Sequence, residues 1–330
     1  MVNYEKHLSA FLTSIIFSVV LGVFIIPLLK RLKAGQNILG FVENHAGKSG
    51  TTTMGGFIFA FSAVITFLLF SNGARGVSGL AFLVSFCFLI VGFLDDFIKI
   101  KSKTNQGLTA KQKLIFQTFI SLLTAIFVYF KGSSSFFVPF YNEYIDFGIW
   151  TIPLVFFVFV ATTNCVNLTD GLDGLAGGVS YLYFIALYFL VAVQISKFGN
   201  NFVSVNEGEN LALLSIIQSG ALIGFLLFNS YSASVFMGDT GSLYLGGMIA
   251  TISIFSSNTL FIPLFGIMFV VSGISVIMQV LVYKRSKKRL FLMAPLHHHF
   301  EYKGHSESKI VFTYKLITLF VSLICLITVI

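Results

Sequence analysis

Apolar runs of roughly 16–22 residues recur along the whole chain, broken only by short polar connections. As a helix, each run reaches across the hydrocarbon core of a bilayer, which is about 30 Å thick. No water inside that core can satisfy the backbone, so a spanning segment must be a helix or part of a closed barrel. Barrel strands alternate with period two over about ten residues, and these runs do neither. Only 10% of the 330 residues are charged and 56% are hydrophobic, with 40 Phe. A soluble chain carries about 25% charged residues. The sequence therefore predicts an all-α polytopic membrane protein.

Ten candidate spans can be marked: Leu8–Leu29, Met54–Phe70, Leu80–Leu94, Leu114–Phe130, Trp150–Thr163, Leu175–Val193, Leu211–Phe228, Leu243–Ile254, Leu260–Tyr283 and Ile310–Ile330. The fifth and eighth are short for a crossing. No repeat or low-complexity linker divides the chain, so residues 1–330 read as one integral-membrane domain. The first run has no small-residue cleavage site followed by a polar mature region and reads as a retained span. Cys87, Cys165 and Cys325 sit in or beside separate apolar runs, without metal-ligand spacing, and read as small buried hydrophobes.

The connections alternate between two sides. Segments 30–50, 95–113, 164–174, 229–241 and 284–309 share one side and hold 16 of the 21 Lys and Arg residues. The positive-inside rule makes that side cytoplasmic and places both termini outside. The net charge of +8 thus gathers beside spans. It points to an anionic membrane surface or anionic substrate, and not to nucleic acid. The same side collects Asp95, Asp96, Asp170, Asp173, Asp239 and the run His297-His298-His299. Ionisable groups at a membrane boundary are costly, and their convergence marks a functional face.

Each motif has a plain reading beside the functional one. Asp95 and Asp96 crowd like charge at the end of the third span, and a cation relieves such crowding. On a helix Lys99 would lie beside both; the plain alternative is a solvated helix end. Asp170 and Asp173 would share a face if helical, or Thr169 or Asp170 would cap the next span. Gly171 and Gly174 permit a tight turn. Asp239 is the sole carboxylate of segment 229–241, and Mg²⁺ takes one or two protein carboxylates plus phosphate oxygens. Phe236 could stack on a flat ring, although packing is its commoner use. Three adjacent His residues cannot all face one ion on a helix. Lys284-Arg-Ser-Lys-Lys-Arg289 reads as an interfacial stretch facing lipid headgroups. Lys48 lies in Glu43-Asn-His-Ala-Gly-Lys-Ser-Gly-Thr-Thr-Thr-Met-Gly-Gly56, which suits phosphate but is not a Walker A sequence.

Taken in order, four segments carry a resemblance. They are Asp95-Asp96, Asn167-Leu-Thr-Asp-Gly-Leu-Asp-Gly-Leu175, Met237-Gly-Asp-Thr-Gly-Ser242 and Ala294-Pro-Leu-His-His-His-Phe-Glu301. Together they resemble the phospho-N-acetylmuramoyl-pentapeptide transferases, within the wider polyprenyl-phosphate N-acetylhexosamine-1-phosphate transferases. The histidine segment favours the muramoyl-pentapeptide branch. The resemblance implies a bacterial multi-pass plasma-membrane enzyme of peptidoglycan synthesis. Its substrates would be UDP-N-acetylmuramoyl-pentapeptide and undecaprenyl phosphate, its products lipid I and UMP, and its cofactor Mg²⁺. A homodimer is left open.

By position, the resemblance makes Asp239 the Mg²⁺ ligand and Asp95, Asp96, His297 and His298 catalytic, with Asp95 a base or a nucleophile. It gives Asn167, Leu168, Asp170, Gly171 and Asp173 to the nucleotide, with Asp173 and Phe236 beside uracil. Lys48, Thr53, Lys99, Asn229 and Gln279 are its further substrate contacts. Thr52 stands where the family shows proline, which implies a looser turn. Direct attack by the lipid phosphate is preferred over a phosphoryl-enzyme. The nearest rival transfers an N-acetylglucosamine phosphate instead. A transporter would need acids near span centres, on broken helices.

Overall fold

The computed structural model describes residues 3–32, 51–71, 75–104, 106–197 and 205–329. Lys48 and most of its loop lie outside the described residues. The chain forms α1 (Tyr4–Arg31), α2 (Gly56–Phe70), α3 (Gly76–Ser102) and α4 (Ala110–Phe130), then a hairpin of β1 (Ser135–Val138) and β2 (Glu143–Asp146). There follow α5 (Thr151–Thr169), α6 (Leu175–Lys197), α7 (Val205–Asn229) and α8 (Gly238–Phe255). The last part comprises α9 (Ile262–Phe265), α10 (Ile267–Ser286), α11 (Leu296–Tyr302) and α12 (Glu307–Ile327).

Among the described residues, eight helices are long and apolar enough to cross a membrane: α1, α3, α4, α5, α6, α7, α10 and α12. The chain is a helical, polytopic membrane protein. The other two expected spans are also helices, α2 and α8. The first has only 15 residues, and the second includes a polar first turn. The ninth expected span is divided, with Gly266 standing between the end of α9 at Phe265 and the start of α10 at Ile267.

The hairpin departs from an all-α reading. β1 and β2 pair antiparallel, with Phe136 opposite Ile145. Phe136 and Phe137 are fully buried, and the Phe137 N–H donates to Ser257 O at 2.8 Å. A four-residue strand leaves no periodicity to read, and its register is set by docking beyond the end of α8.

α8 occupies the centre of the bundle, buried without a break from Thr240 to Phe255. α3 and α5 pack most closely against it, followed by α2. Outer helices carry large apolar side chains on the surface, such as Phe24 and Phe130, as a lipid-facing belt requires. Between helices, small polar residues link neighbouring backbones. Ser14 and Ser18 of α1 donate to Ile217 O and Ala221 O of α7 at 2.8 and 2.7 Å, and Ser62 of α2 donates to Ser14 O. Such contacts hold membrane helices where lipid gives no hydrophobic drive for association.

Three boundaries matter for the site. α3 runs on past the expected end of its span, so Asp95, Asp96 and Lys99 lie on a continuing helix. α5 continues through Asn167 and Leu168 to Thr169, where a loop was expected. α8 begins at Gly238 and puts Asp239 in its first turn.

Candidate active site

Four helices deliver an acidic cluster to one end of the bundle. Asp95, Asp96 and Lys99 come from α3, Lys113 from α4, Asn167 from α5 and Asp239 from α8. One oxygen from each of Asp95, Asp96 and Asp239 lies within 4.8 Å of the others.

Asp95 is fully buried. Lys99, one turn along, meets it at 2.5 Å, and Lys113 meets its other oxygen at 3.1 Å. The Leu108 N–H also donates to it, at 2.8 Å. Lys99 reaches Asp239 at 3.4 Å, and Lys113 forms a short ion pair with Asp239. Two ammonium groups therefore sit among three carboxylates. The helical reading of Asp95 and Lys99 holds, whereas Lys113 had no sequence signal beyond its place near the start of α4.

Asp96 faces the other way. It accepts from the Thr240 N–H at 3.0 Å, the Thr240 hydroxyl at 2.6 Å and the Asp239 N–H at 3.3 Å. The first turn of α8 has no side-chain cap of its own, so a carboxylate of α3 satisfies its open N–H groups. Gly92 allows the approach, because a Cβ there would run into the Asp239 carbonyl. Asn167 fixes the far side of Asp239, with its Nδ2 donating to Asp239 Oδ1 at 3.0 Å and Ser242 Oγ at 2.8 Å.

A second group adjoins the turn between α5 and α6. Residues 170–174 form a turn, not a helix, and Gly174 has φ +73°. Asp170 and Asp173 therefore do not share a helical face. Thr169 is no cap for α6: it ends α5 and bonds Cys165 O. Asp173 accepts from the Ala233 N–H at 3.0 Å, and its own N–H donates to Glu307 at 2.5 Å. Burial, with the nearby charges of Asp239, Asp96 and Asp173, holds the Asp170 carboxyl well above the usual carboxylate range.

α11 presents its histidines to this turn. A Cβ on Gly171 would strike His297 Nε2 and approach His298 Nε2 to 3.0 Å. His298 Nδ1 pairs with Glu301 at 2.9 Å. His297 is fully buried, and neither ring nitrogen has a hydrogen-bond partner. Burial and the adjacent His298 push its pKa down to about 3. His299 turns away and accepts from the Leu292 N–H at 3.1 Å.

The remaining candidates divide. Thr53 belongs with the acidic cluster: a Cβ on Gly238 would strike both its hydroxyl and Asp96. Its segment is tied down by a bridge between Thr52 and Val235, where the Phe236 N–H donates to Thr52 O at 2.7 Å. Gly55 and Gly56 extend this pairing, their N–H groups donating to Phe236 O and Met237 O at 2.8 and 3.2 Å. Phe236 contributes its backbone to this pairing. Asn229 is buried and braces its own loop through Val235 O at 2.9 Å. Leu168 lies in the last turn of α5, beside Asn167. Among the described residues Gln279 makes no hydrogen bond to any of these side chains. Its Oε1 instead accepts from the Leu290 and Phe291 N–H groups at 3.1 and 2.8 Å.

Buried carboxylates, two lysines and the start of α8 thus gather at one end of a helical membrane protein. Residues 78–257 match the family described as glycosyl transferase family 4. Over 318 residues the chain is 44% identical to the phospho-N-acetylmuramoyl-pentapeptide-transferase of Clostridium botulinum strain Alaska E43, covering 96% of this chain and 94% of that relative. The same-named proteins of Clostridium perfringens strain 13 and Caldanaerobacter subterraneus are 42% and 39% identical over 315 and 319 residues. Those alignments cover 95% of this chain and 95% of the first, and 96% of this chain and 96% of the second. The chain belongs to the phospho-N-acetylmuramoyl-pentapeptide-transferase family.

Proposed function

We propose that this protein transfers phospho-N-acetylmuramoyl-pentapeptide from its UDP-linked donor to undecaprenyl phosphate, giving lipid I and UMP for peptidoglycan synthesis. The observation that carries this reading is the cluster of Asp95, Asp96, Asp239, Lys99 and Lys113 at one end of the bundle. A soluble nucleotide and a lipid phosphate can both reach such a place. The basic connections share that end, which supports a cytoplasmic site, both termini on the opposite side, and the bacterial plasma membrane as location.

In the reaction an oxygen of the lipid phosphate bonds to the β-phosphorus of the donor. The bond from that phosphorus to the bridging oxygen breaks, and UMP leaves with the electron pair. A phosphate monoester has its second pKa near 6, so at neutral pH the attacking oxygen is mostly ionised already. Asp95 is held by Lys99, Lys113 and the Leu108 N–H, and a carboxylate so engaged is poorly placed to attack phosphorus. This supports direct transfer. Lys99 and Lys113 neutralise phosphate charge, which with positioning is the main requirement of phosphoryl transfer. The Asp170–Gly174 turn, with His297 and His298 against it, forms the wall offered to the nucleotide.

The donor set also suits Mg²⁺. Three carboxylates against two ammonium groups leave a negative balance of hard oxygen ligands. Asp239, with Asp95 and Asp96 beside it, would hold the ion, which when bound neutralises the transferring phosphate. The test is UMP release from UDP-N-acetylmuramoyl-pentapeptide with undecaprenyl phosphate, with and without Mg²⁺. Asp239→Asn should lower the rate by about 10²-fold or more. UMP release from UDP-N-acetylglucosamine alone would move the protein to the rival specificity.

A further inference from the structure

The stretch Lys284–Arg289 and the cytoplasmic half of α10 take no part in the site described above. The buried residues of α10 end at Ser275. Beyond that point Ile277, Met278, Val280, Leu281 and Tyr283 are all exposed. The chain then leaves the helix at Lys287, which has φ +56°, and folds back as a strap along α10. Gln279 fastens the strap: besides accepting from the Leu290 and Phe291 N–H groups, it donates to Phe291 O at 3.2 Å.

Between strap and helix lies a groove of about 900 Å³. Val276, Val280 and Tyr283 form one wall at helical spacing, and Leu292 and Met293 form the other. Lys284, Lys287 and Arg289 line its basic end. No acidic residue occurs between Asp239 and Glu301. Among the described residues no carboxylate forms an ion pair with any of these three cations. None of the groove's lining residues belongs to the acidic cluster or the Asp170–Gly174 turn.

Arg289 donates to Leu292 O at 3.3 Å, within the strap. An apolar slot along the exposed face of α10, ending in three cations that have no carboxylate partner among the described residues, has the chemistry of a phospholipid site. The slot takes an acyl chain, and the cations take a phosphate headgroup whose charge other protein groups do not cancel. We infer that this groove binds one anionic phospholipid of the surrounding bilayer, separate from both substrates.

Native mass spectrometry of the delipidated protein tests this, with dioleoylphosphatidylglycerol and dioleoylphosphatidylcholine as probes. One phosphatidylglycerol should be retained at least tenfold better than phosphatidylcholine. The triple variant K284Q/K287Q/R289Q should weaken phosphatidylglycerol binding on the order of a hundredfold, as expected for three basic residues at a membrane surface. The matched triple K101Q/K111Q/K303Q, also on the basic side, should change it by less than threefold. Val280→Trp fills the slot, keeps every charge and should abolish retention, so the inference stays testable if the first triple fails to fold. An equal loss in the matched triple would reduce the effect to general surface charge and overturn the inference. Retention by Val280→Trp would do so too, as would one-for-one displacement of phosphatidylglycerol by undecaprenyl phosphate.

Discussion

Asp96 anchors α8, and two substitutions separate that role from its charge. Asp96→Ala removes the acceptor of the Thr240 N–H, the Thr240 hydroxyl and the Asp239 N–H. Each buried donor left unsatisfied costs about 1–3 kcal/mol. Relief of repulsion from Asp95 and Asp239 offsets part of this, leaving about 2–4 kcal/mol. With an unfolding entropy of about 2.1 cal/mol/K per residue, a chain of 330 residues loses about 3–6 °C in apparent Tm. Asp96→Asn keeps an acceptor oxygen and also sheds the repulsion, so its Tm should stay within about 2 °C of the parent. The assay is thermal unfolding in detergent, read with a thiol-reactive dye. Cys87, Cys165 and Cys325 are all free and at least partly buried, so labelling reports unfolding. If Ala and Asn lower the Tm equally, the charge and not the hydrogen bonding holds α8. If neither lowers it, Asp96 is no anchor.

Further outcomes follow from the same geometry. Lys113→Met removes the ammonium shared by Asp95 and Asp239 and should lower UMP release by about 10²–10³-fold, with Lys113→Arg partly active; a fall below threefold would remove Lys113 from the site. Gly171→Ala pushes a methyl at His297 and His298 and should raise the KM for the UDP-linked donor about tenfold, in initial-rate measurements. His297 has a folded pKa of about 3, below its unfolded value of about 6.5, so its neutral form stabilises the fold fully above pH 6.5. That contribution is lost as pH falls from about 6.5 towards 3, amounting to about 2 kcal/mol by pH 5. Unfolding of His297→Gln across this range should show a flatter slope than the parent, and an unchanged slope would refute the assignment.

Local spacing made part of the site legible. Asp95 and Lys99 are four apart on a helix, and the sorting of charged loops placed Asp170, Asp173, Asp239 and the histidines at one end. Contacts between distant elements were not legible in this way. Lys113 reaches Asp95 only because α4 leads its first turn past α3. The cap of α8 by Asp96 spans 144 residues, and nothing near Thr240 announces it. Gln279 stood out only by its place in a family pattern, and its hydrogen bonds to the strap after α10 had no local signal. Among the three adjacent histidines, only packing could assign directions, with His297 and His298 to the Gly171 turn and His299 to the strap.

The weakest apolar signal also has a physical cause. Among the described residues α8 has the 18 residues a crossing needs, yet it is not apolar enough to stand with the eight long spans. α8 is surrounded by protein, so close packing governs its composition more than apolarity does. A Cβ on Gly246 would meet the backbone of Thr163, and one on Gly247 would come within 2.8 Å of the Phe88 ring. Small and hydroxyl residues therefore replace the large aliphatics that mark an ordinary span. The same tight packing sets the position of Asp239, because α5 and α3, which press on these glycines, also carry Asn167, Asp95 and Asp96. The helix hardest to recognise as a span is thus the one whose centring in the bundle assembles the acidic cluster.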